Sequence, residues 1–166
     1  MTQFTSELHE DQPVLVAIDF SHESKAALEW ACNYSDLSGR KLILLHIVHD
    51  QASNPGFYKT GFKKELKPMQ AVAETMMEDF IEEIKTENPG LIALESAELQ
   101  CIAGLPPTRI VEVSKLLNTT LIVMGSRGIT GLPHKLLGSV AERVVELSKI
   151  PVVVVKAEEI PEPKKK

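Results

Sequence analysis

The stretch whose residue types and spacing could do chemistry is Gly125-Ser126-Arg127-Gly128-Ile129-Thr130-Gly131-Leu132-Pro133-His134-Lys135-Leu136-Leu137-Gly138-Ser139. It follows an apolar run, Leu121-Ile122-Val123-Met124, that reads as a buried strand. It precedes residues 140–148, whose apolar spacing is helical. A strand, a glycine-bearing loop and a helix start are the parts from which α/β proteins build phosphate sites. Gly125 closes the strand, where lacking a Cβ would let a ligand approach the backbone. Gly128 is free to take a positive φ and aim an N–H inward. Gly138-Ser139 stands where unpaired helix N–H groups and the positive end of the helix dipole favour an anion, and the Ser139 hydroxyl adds a donor. A purely structural account stands beside this one. Ser139-Val140-Ala141-Glu142 fits the capping box Ser-x-x-Glu, and Gly125, Gly128 and Gly131 serve equally as turn residues. The two are compatible, because a capping serine can still present its N–H to a phosphate.

Other phosphate and catalytic signatures are missing. There is no Gly-x-x-x-x-Gly-Lys-Ser/Thr, no Gly-x-Gly-x-x-Gly after the first strand, and no Gly-x-Ser-x-Gly. His46, His49 and Asp50 cluster after the second strand, but zinc ordinarily takes four ligands at closer, matched spacing. A strand-end histidine is more often hydrogen-bonded locally. His22 lies near Asp19 and reads as an exposed first-turn residue. Met69, Met76, Met77 and Phe80 read as core. Cys32 and Cys101 form no Cys-x-x-Cys and have no evident cation nearby, so both read as unreactive free thiols suited to a reducing compartment.

The elements that must position the loop alternate along the chain. Strands are expected over 13–18, 41–48, 93–103, 120–124 and 152–155. The first, second and fourth are continuously apolar, as buried parallel strands are. The third alternates more weakly through Leu94, Ala97, Leu99 and Cys101, which suits a sheet edge. Between them lie helical patterns. Ser21 caps the first, Ala27, Trp30, Ala31 and Tyr34 share a face, and Gly39 ends it. Residues 63–85 carry Met69, Val72, Ala73, Met76, Phe80 and Ile84 at helical spacing, closed by Asn88-Pro89-Gly90. Pro106-Pro107 opens a third helix lined by Ile110, Val113 and Leu117. The order βαβαβαβαβ implies a parallel sheet covered by helices on both faces. Residues 1–12 read as a flexible lead-in, 13–156 as a single domain, and the Pro- and Lys-rich residues 157–166 as a disordered tail.

A length of 166 residues allows one domain with a real core. A net charge of −5 argues against nucleic acid or an anionic membrane as partner. No apolar run approaches the ~20 residues of a membrane span. The polar, acidic opening shows no signal-peptide pattern, and the expected location is the cytoplasm.

Gly125-x-x-Gly128, nine residues, then Gly138-Ser139 resembles the ATP-binding signature of the universal stress protein family. The likeness extends to Val16-Ala17-Ile18-Asp19-Phe20-Ser21, Leu44-Leu45-His46-Ile47, Leu121-Ile122-Val123-Met124-Gly125-Ser126 and Pro151-Val152-Val153-Val154-Val155, and so covers residues 13–156. It implies an open five-stranded parallel sheet in the order 3-2-1-4-5, paired as a homodimer through the last strand, Val152, Val153, Val154 and Val155. By the same resemblance Ala17 and Asp19, with Ile18 between them, would border the adenosine. The Ile47 backbone would meet the adenine edge, and Met124 and Gly125 would line the ribose. Arg127, Gly128, Gly138, Ser139 and Val140 would surround the triphosphate of ATP, with Mg or another divalent cation bridging the phosphates. Two departures stand out: Ala17 where the family often has proline, and Asn118-Thr119-Thr120 where many members have an aspartate. The function implied is an ATP-binding, regulatory stress-response protein, a nucleotide-dependent binding module without a catalytic residue. Two alternatives stand beside it. One is a slow ATPase or phosphotransferase, for which Asp19, Ser126, Thr130 or His134 are the available groups. The other is a nucleotide-free interaction dimer.

Overall fold

Each strand alternates its side chains between two faces, and that alternation divides the core in two. The computed structural model describes residues 12–48, 69–129 and 137–157. Strands β1 (Val14–Ala17), β2 (Leu42–Val48), β3 (Glu98–Ala103), β4 (Leu121–Gly125) and β5 (Val152–Val155) form one sheet in the order β3-β2-β1-β4-β5. All neighbours are parallel, with Val14 opposite Leu42 on one side and Leu121 on the other. The helices are α1 (His22–Ser38), α2 (Met69–Glu87), α3 (Pro106–Leu116) and α4 (Ser139–Leu147). Val14 and Val16 face one layer with Ala27, Leu28, Ala31 and Cys32 of α1 and Ala73, Met77, Ile81 and Ile84 of α2. Leu15 and Ala17 face the other, with Ile110 and Val113 of α3 and Ala141 and Val144 of α4. The expected architecture, order and helix-covered faces are therefore present.

The ends of α1 follow the local chemistry of its sequence. Ser21 Oγ accepts from Ser24 N–H at 3.1 Å, and Gly39, at φ 70°, closes the helix by donating to Ser35 O at 2.8 Å. Its buried stripe matches the expected one in part: Ala27 and Ala31 are buried and Tyr34 packs half-buried against the core, but Trp30 does not join them. Ala27, Leu28, Ala31, Cys32 and Ser35 face the sheet, whereas Trp30 is 38% exposed and stacks on Tyr34 at 5.5 Å. Small residues let the helix lie close to the strands, and the two large rings pair one turn apart on its flank. The third strand is also shorter than its pattern suggests. Ile92–Ser96 is a 3-10 helix that turns Ala93 and Leu94 into the core before the strand begins at Glu98. Residues 63–68 of the second expected helix lie outside the described residues, as do His49, Asp50, Thr130, Gly131, His134 and Lys135. Ala157, assigned to the tail from its sequence, is 6% exposed and donates to Glu23 at 2.6 Å.

Candidate functional site

The strand order reverses between β1 and β4, and a cavity of about 350 Å³ opens there, beyond the carboxyl ends of β1, β2 and β4. Open α/β sheets place their ligand sites at such a point. Ala17, Ile18, Asp19, Ile47, Met124, Gly125, Arg127, Gly128, Gly138, Ser139 and Val140 all stand on its wall. Residues distant in sequence thus meet because β1 and β4 are hydrogen-bonded neighbours that end together, Ala17 opposite Met124. Ile18 N–H donates to Leu45 O at 2.9 Å. Two residues further along β2, by the period of a strand, the Ile47 main chain points the same way, past the place where the other chain turns off at Asp19.

That turn is built on a non-glycine residue with positive φ, Phe20 at 65°. Such a conformation costs about 1–3 kcal/mol and needs outside support. Here the Phe20 ring lies 4.5 Å from His46 and 5.6 Å, edge-on, from Phe80. One Asp19 oxygen, Oδ1, accepts from the Ser21 N–H at 3.1 Å and from its hydroxyl at 2.5 Å. The other, Oδ2, lies against Gly128, where an added Cβ would come within 2.7 Å of it. The absence of a Cβ at Gly128 thus leaves room for this carboxylate. This glycine has no positive φ, contrary to the expectation from sequence; the positive-φ glycines among the described residues are Gly39 and Gly104. Gly125 is likewise explained differently. Its missing Cβ would meet Glu23 Cβ at 2.7 Å and the Glu23 carbonyl carbon at 2.8 Å, so it makes room for α1 rather than for a ligand.

At the opposite wall, Gly138 is the N-cap of α4, with φ −74° and ψ 156°, and its carbonyl accepts the first helical bond from Glu142 at 2.9 Å. Ser139 is consequently the first helical residue and not the cap, and no side chain caps this end. The capping box does not form: with Gly138 as cap, Glu142 falls one position too far along to answer it. The N–H groups of Ser139, Val140 and Ala141 have no partner within the helix, and the positive end of the helix dipole coincides with them. Gly138 N–H donates to Ser126 O at 2.7 Å and so fixes α4 to the loop after β4.

Several residues on or behind this wall were not assigned to the nucleotide site from the sequence, although His46 and Ser126 were weighed there in other roles. Ser24, Leu45, His46, Pro106, Ile110, Ser126 and Ala141 also line the cavity. Glu23 stands behind it, 8% exposed, and holds Arg127 at 2.8 and 3.1 Å. The acidic first-turn position of Glu23 was visible, but its partners are more than 100 residues away along the chain. His46 is 3% exposed, and its Nδ1 lies 2.8 Å from Ile18 O. Burial pushes its pKa below the ordinary 6.5, against the opposing pull of the Ile18 carbonyl and the Asp19 charge. Unfolding raises that pKa, so the unfolded chain takes up the proton first, and stability falls as pH drops through about 6.5 towards the lowered folded value. The urea midpoint should therefore decrease between pH 7.5 and 5.5, and the decrease should be smaller in His46→Gln. Equal slopes in the two proteins would contradict a neutral buried imidazole.

The donor set and the lining suit a nucleotide. Ala17, Ile47, Met124 and Val140 supply an apolar floor, and the start of α4 with Arg127 supplies anion donors. Asp19 is the single carboxylate on the wall among the described residues, which contain no group of three or more potential metal ligands. A divalent cation would have to be held largely by the phosphates themselves.

An open parallel sheet with a cavity at its switch point, walled by a helix N-terminus, defines a doubly wound α/β protein. More particularly, the chain belongs to the universal stress protein family, whose model matches residues 12–156. It is 31% identical to the universal stress protein YxiE of Bacillus subtilis, over 86% of this chain and 97% of that one. It is 30% identical to a universal stress protein of Methanocaldococcus jannaschii, over 86% and 93%. The solved structure of the latter superposes with a TM-score of 0.65 at 26% identity, covering 90% of this chain and 98% of that one. A universal stress protein solved in complex with cAMP shares the fold, with TM-score 0.61, 23% identity and coverage of 89% and 98%.

Proposed function

We propose that this chain binds an adenine nucleotide, ATP with a bridging divalent cation, in the switch-point cavity and acts as a nucleotide-dependent binding module in the stress response of the cytoplasm. The observation that carries this is the cavity itself: an apolar floor at the ends of β1, β2 and β4 lies with the helix start whose N–H groups at Ser139, Val140 and Ala141 have no partner within the helix. The base would lie towards Asp19 and the Ile47 main chain, and the phosphates towards Gly128, Gly138, Ser139 and Val140. Relatives solved with cAMP and with dAMP support an adenine nucleotide as the ligand class. The outer edge of β5, whose four valines are each only partly buried, would pair with a second copy of the chain. Hydrolysis is not part of the proposal: among the described residues Asp19 is the one carboxylate on the wall, and its Oδ1 is held by the Ser21 N–H and hydroxyl.

The test is direct. Protein purified without added nucleotide is denatured and the released small molecules are analysed. In parallel, Mg-ATP, dAMP and cAMP are added to stripped protein. A ligand at 100 times its Kd should stabilise the fold by about 2.7 kcal/mol, raising Tm by about 5–10 °C for a domain of this size. No adenine nucleotide released and no shift with any of the three would overturn the proposal. Recovered ADP with steady phosphate release would replace the binding module by a slow ATPase.

A further inference from the structure

We propose that Glu23 is a positioning residue for the phosphate end of the cavity: a buried carboxylate behind the wall that sets where Arg127, Ser126 and the start of α4 stand. This rests on the nucleotide site proposed above. An acidic residue in the first turn of a helix ordinarily does no more than complement the helix dipole. The Glu23 side chain is instead only 10% exposed, and both of its oxygens are engaged. Oε1 accepts from Arg127 Nε at 3.1 Å and Nη2 at 2.8 Å. Oε2 accepts from the Ser126 hydroxyl at 3.3 Å and the Ala157 N–H at 2.6 Å. One carboxylate thereby joins the start of α1, the loop after β4 and the chain leaving β5.

Three consequences bear on the site. First, Arg127 is anchored through two of its five N–H groups, which leaves three to face the cavity whose wall it forms. Swinging away to a phosphate would strand a buried carboxylate, which is strongly unfavourable. Arg127 therefore meets an anion from where Glu23 holds it. Second, Ser126 and Arg127 are the seat of α4. Gly138 donates to Ser126 O at 2.7 Å, and a Cβ on Gly138 would stand 3.3 Å from Arg127 Cα. Displacing residues 126–127 displaces the N–H groups of Ser139, Val140 and Ala141 with them. Third, Ser126 N–H donates to Val155 O at 2.8 Å, so the loop is fastened to β5 by its main chain as well as through Glu23.

A competing account makes Glu23 a mere counter-charge that cancels Arg127 and weakens the site for phosphates. Position and charge are separable. Glu23→Asp keeps the charge and withdraws it by one methylene; Glu23→Gln keeps the length and removes the charge. Calorimetric titration of the full chain with adenosine, AMP and Mg-ATP, with melts to confirm folding, decides between them. Both variants should bind AMP and ATP about tenfold or more weaker than wild type, while adenosine stays within about twofold. Glu23→Gln should add little to the loss already caused by Arg127→Gln, because the two act as a unit. Unchanged phosphate affinity in Glu23→Asp, tighter ATP binding by Glu23→Gln, or an equal loss for adenosine would each overturn the positioning role. Wild-type protein that binds none of the three ligands would overturn the nucleotide site and this role together. Wild-type binding with unaltered variants would overturn the role alone.

Discussion

Gly125→Ala should destabilise the fold by about 3 kcal/mol, the upper part of the range for overfilling a packed site. For a domain of this size that is a fall of about 6–12 °C in Tm. The added Cβ would lie 2.7 Å from Glu23 Cβ and 2.8 Å from its carbonyl carbon, and neither is the end of a flexible side chain. Relief therefore requires α1 to lift from β4, and α1 is the helix that presents Leu28, Ala31 and Cys32 to the core at 0% exposure. The same movement would carry the Glu23 carboxylate away from Arg127, Ser126 and Ala157. Gly90→Ala is the matched control. Gly90 has open space where its Cβ would go and no positive φ, so its variant should melt within about 0.5 kcal/mol of wild type. Thermal or urea denaturation of the two variants checks both. A Gly125→Ala protein as stable as the control would mean that α1 and β4 are less closely opposed than their geometry requires.

The pattern of glycines was legible in the sequence, but the reason for each glycine was not. Gly125 is required by the backbone and Cβ of Glu23, and Gly128 lies against the carboxylate end of Asp19, both from the opposite end of the chain. Contacts of that kind leave no periodic trace in a single sequence. The strands were legible because burial on both faces produces continuous apolar runs such as Leu42–Val48 and Leu121–Gly125. Helix ends were legible where the signal is local, as at Ser21 and Gly39, and misplaced where it is tertiary. Ser139 carries the capping pattern, yet Gly138 takes the capping position because Ser126 O holds its N–H. Trp30 met the helical period of a buried face and still lies on the flank, stacked on the half-buried Tyr34, since small residues one position along fit the sheet more closely. The residues of the candidate cavity come together by topology, and the strand order itself was inferred from resemblance.

Gly138→Val should separate binding from folding in the opposite sense to Gly125→Ala, with adenine-nucleotide affinity reduced about 100-fold or more. The backbone at Gly138, φ −74° and ψ 156°, is one that valine adopts readily, so the substitution introduces no conformational strain. The obstacle is the approach of the neighbouring chain. A Cβ would stand 3.3 Å from Arg127 Cα and from Ser126 O, and 3.7 Å from Gly128 N, and valine adds two methyl groups beyond it. The start of α4 must then back away from residues 126–128. Ser139, Val140 and Ala141 would no longer aim their N–H groups at a phosphate held against Gly128. Losing two charge-assisted hydrogen bonds at about 1.5 kcal/mol each corresponds to a factor of about 100 in Kd. The displacement is confined to one end of α4, whose buried anchors Ala141 and Val144 lie further along, so the stability loss should stay near 1–2 kcal/mol. Gly138→Ala, with no methyl groups beyond the Cβ, should fall between the two. Titration of both variants with Mg-ATP and with adenosine tests the assignment. Adenosine affinity should change little, because the base end lies across the cavity at Asp19 and Ile47. An unaltered ATP affinity in Gly138→Val would place the phosphates somewhere other than the N-terminus of α4.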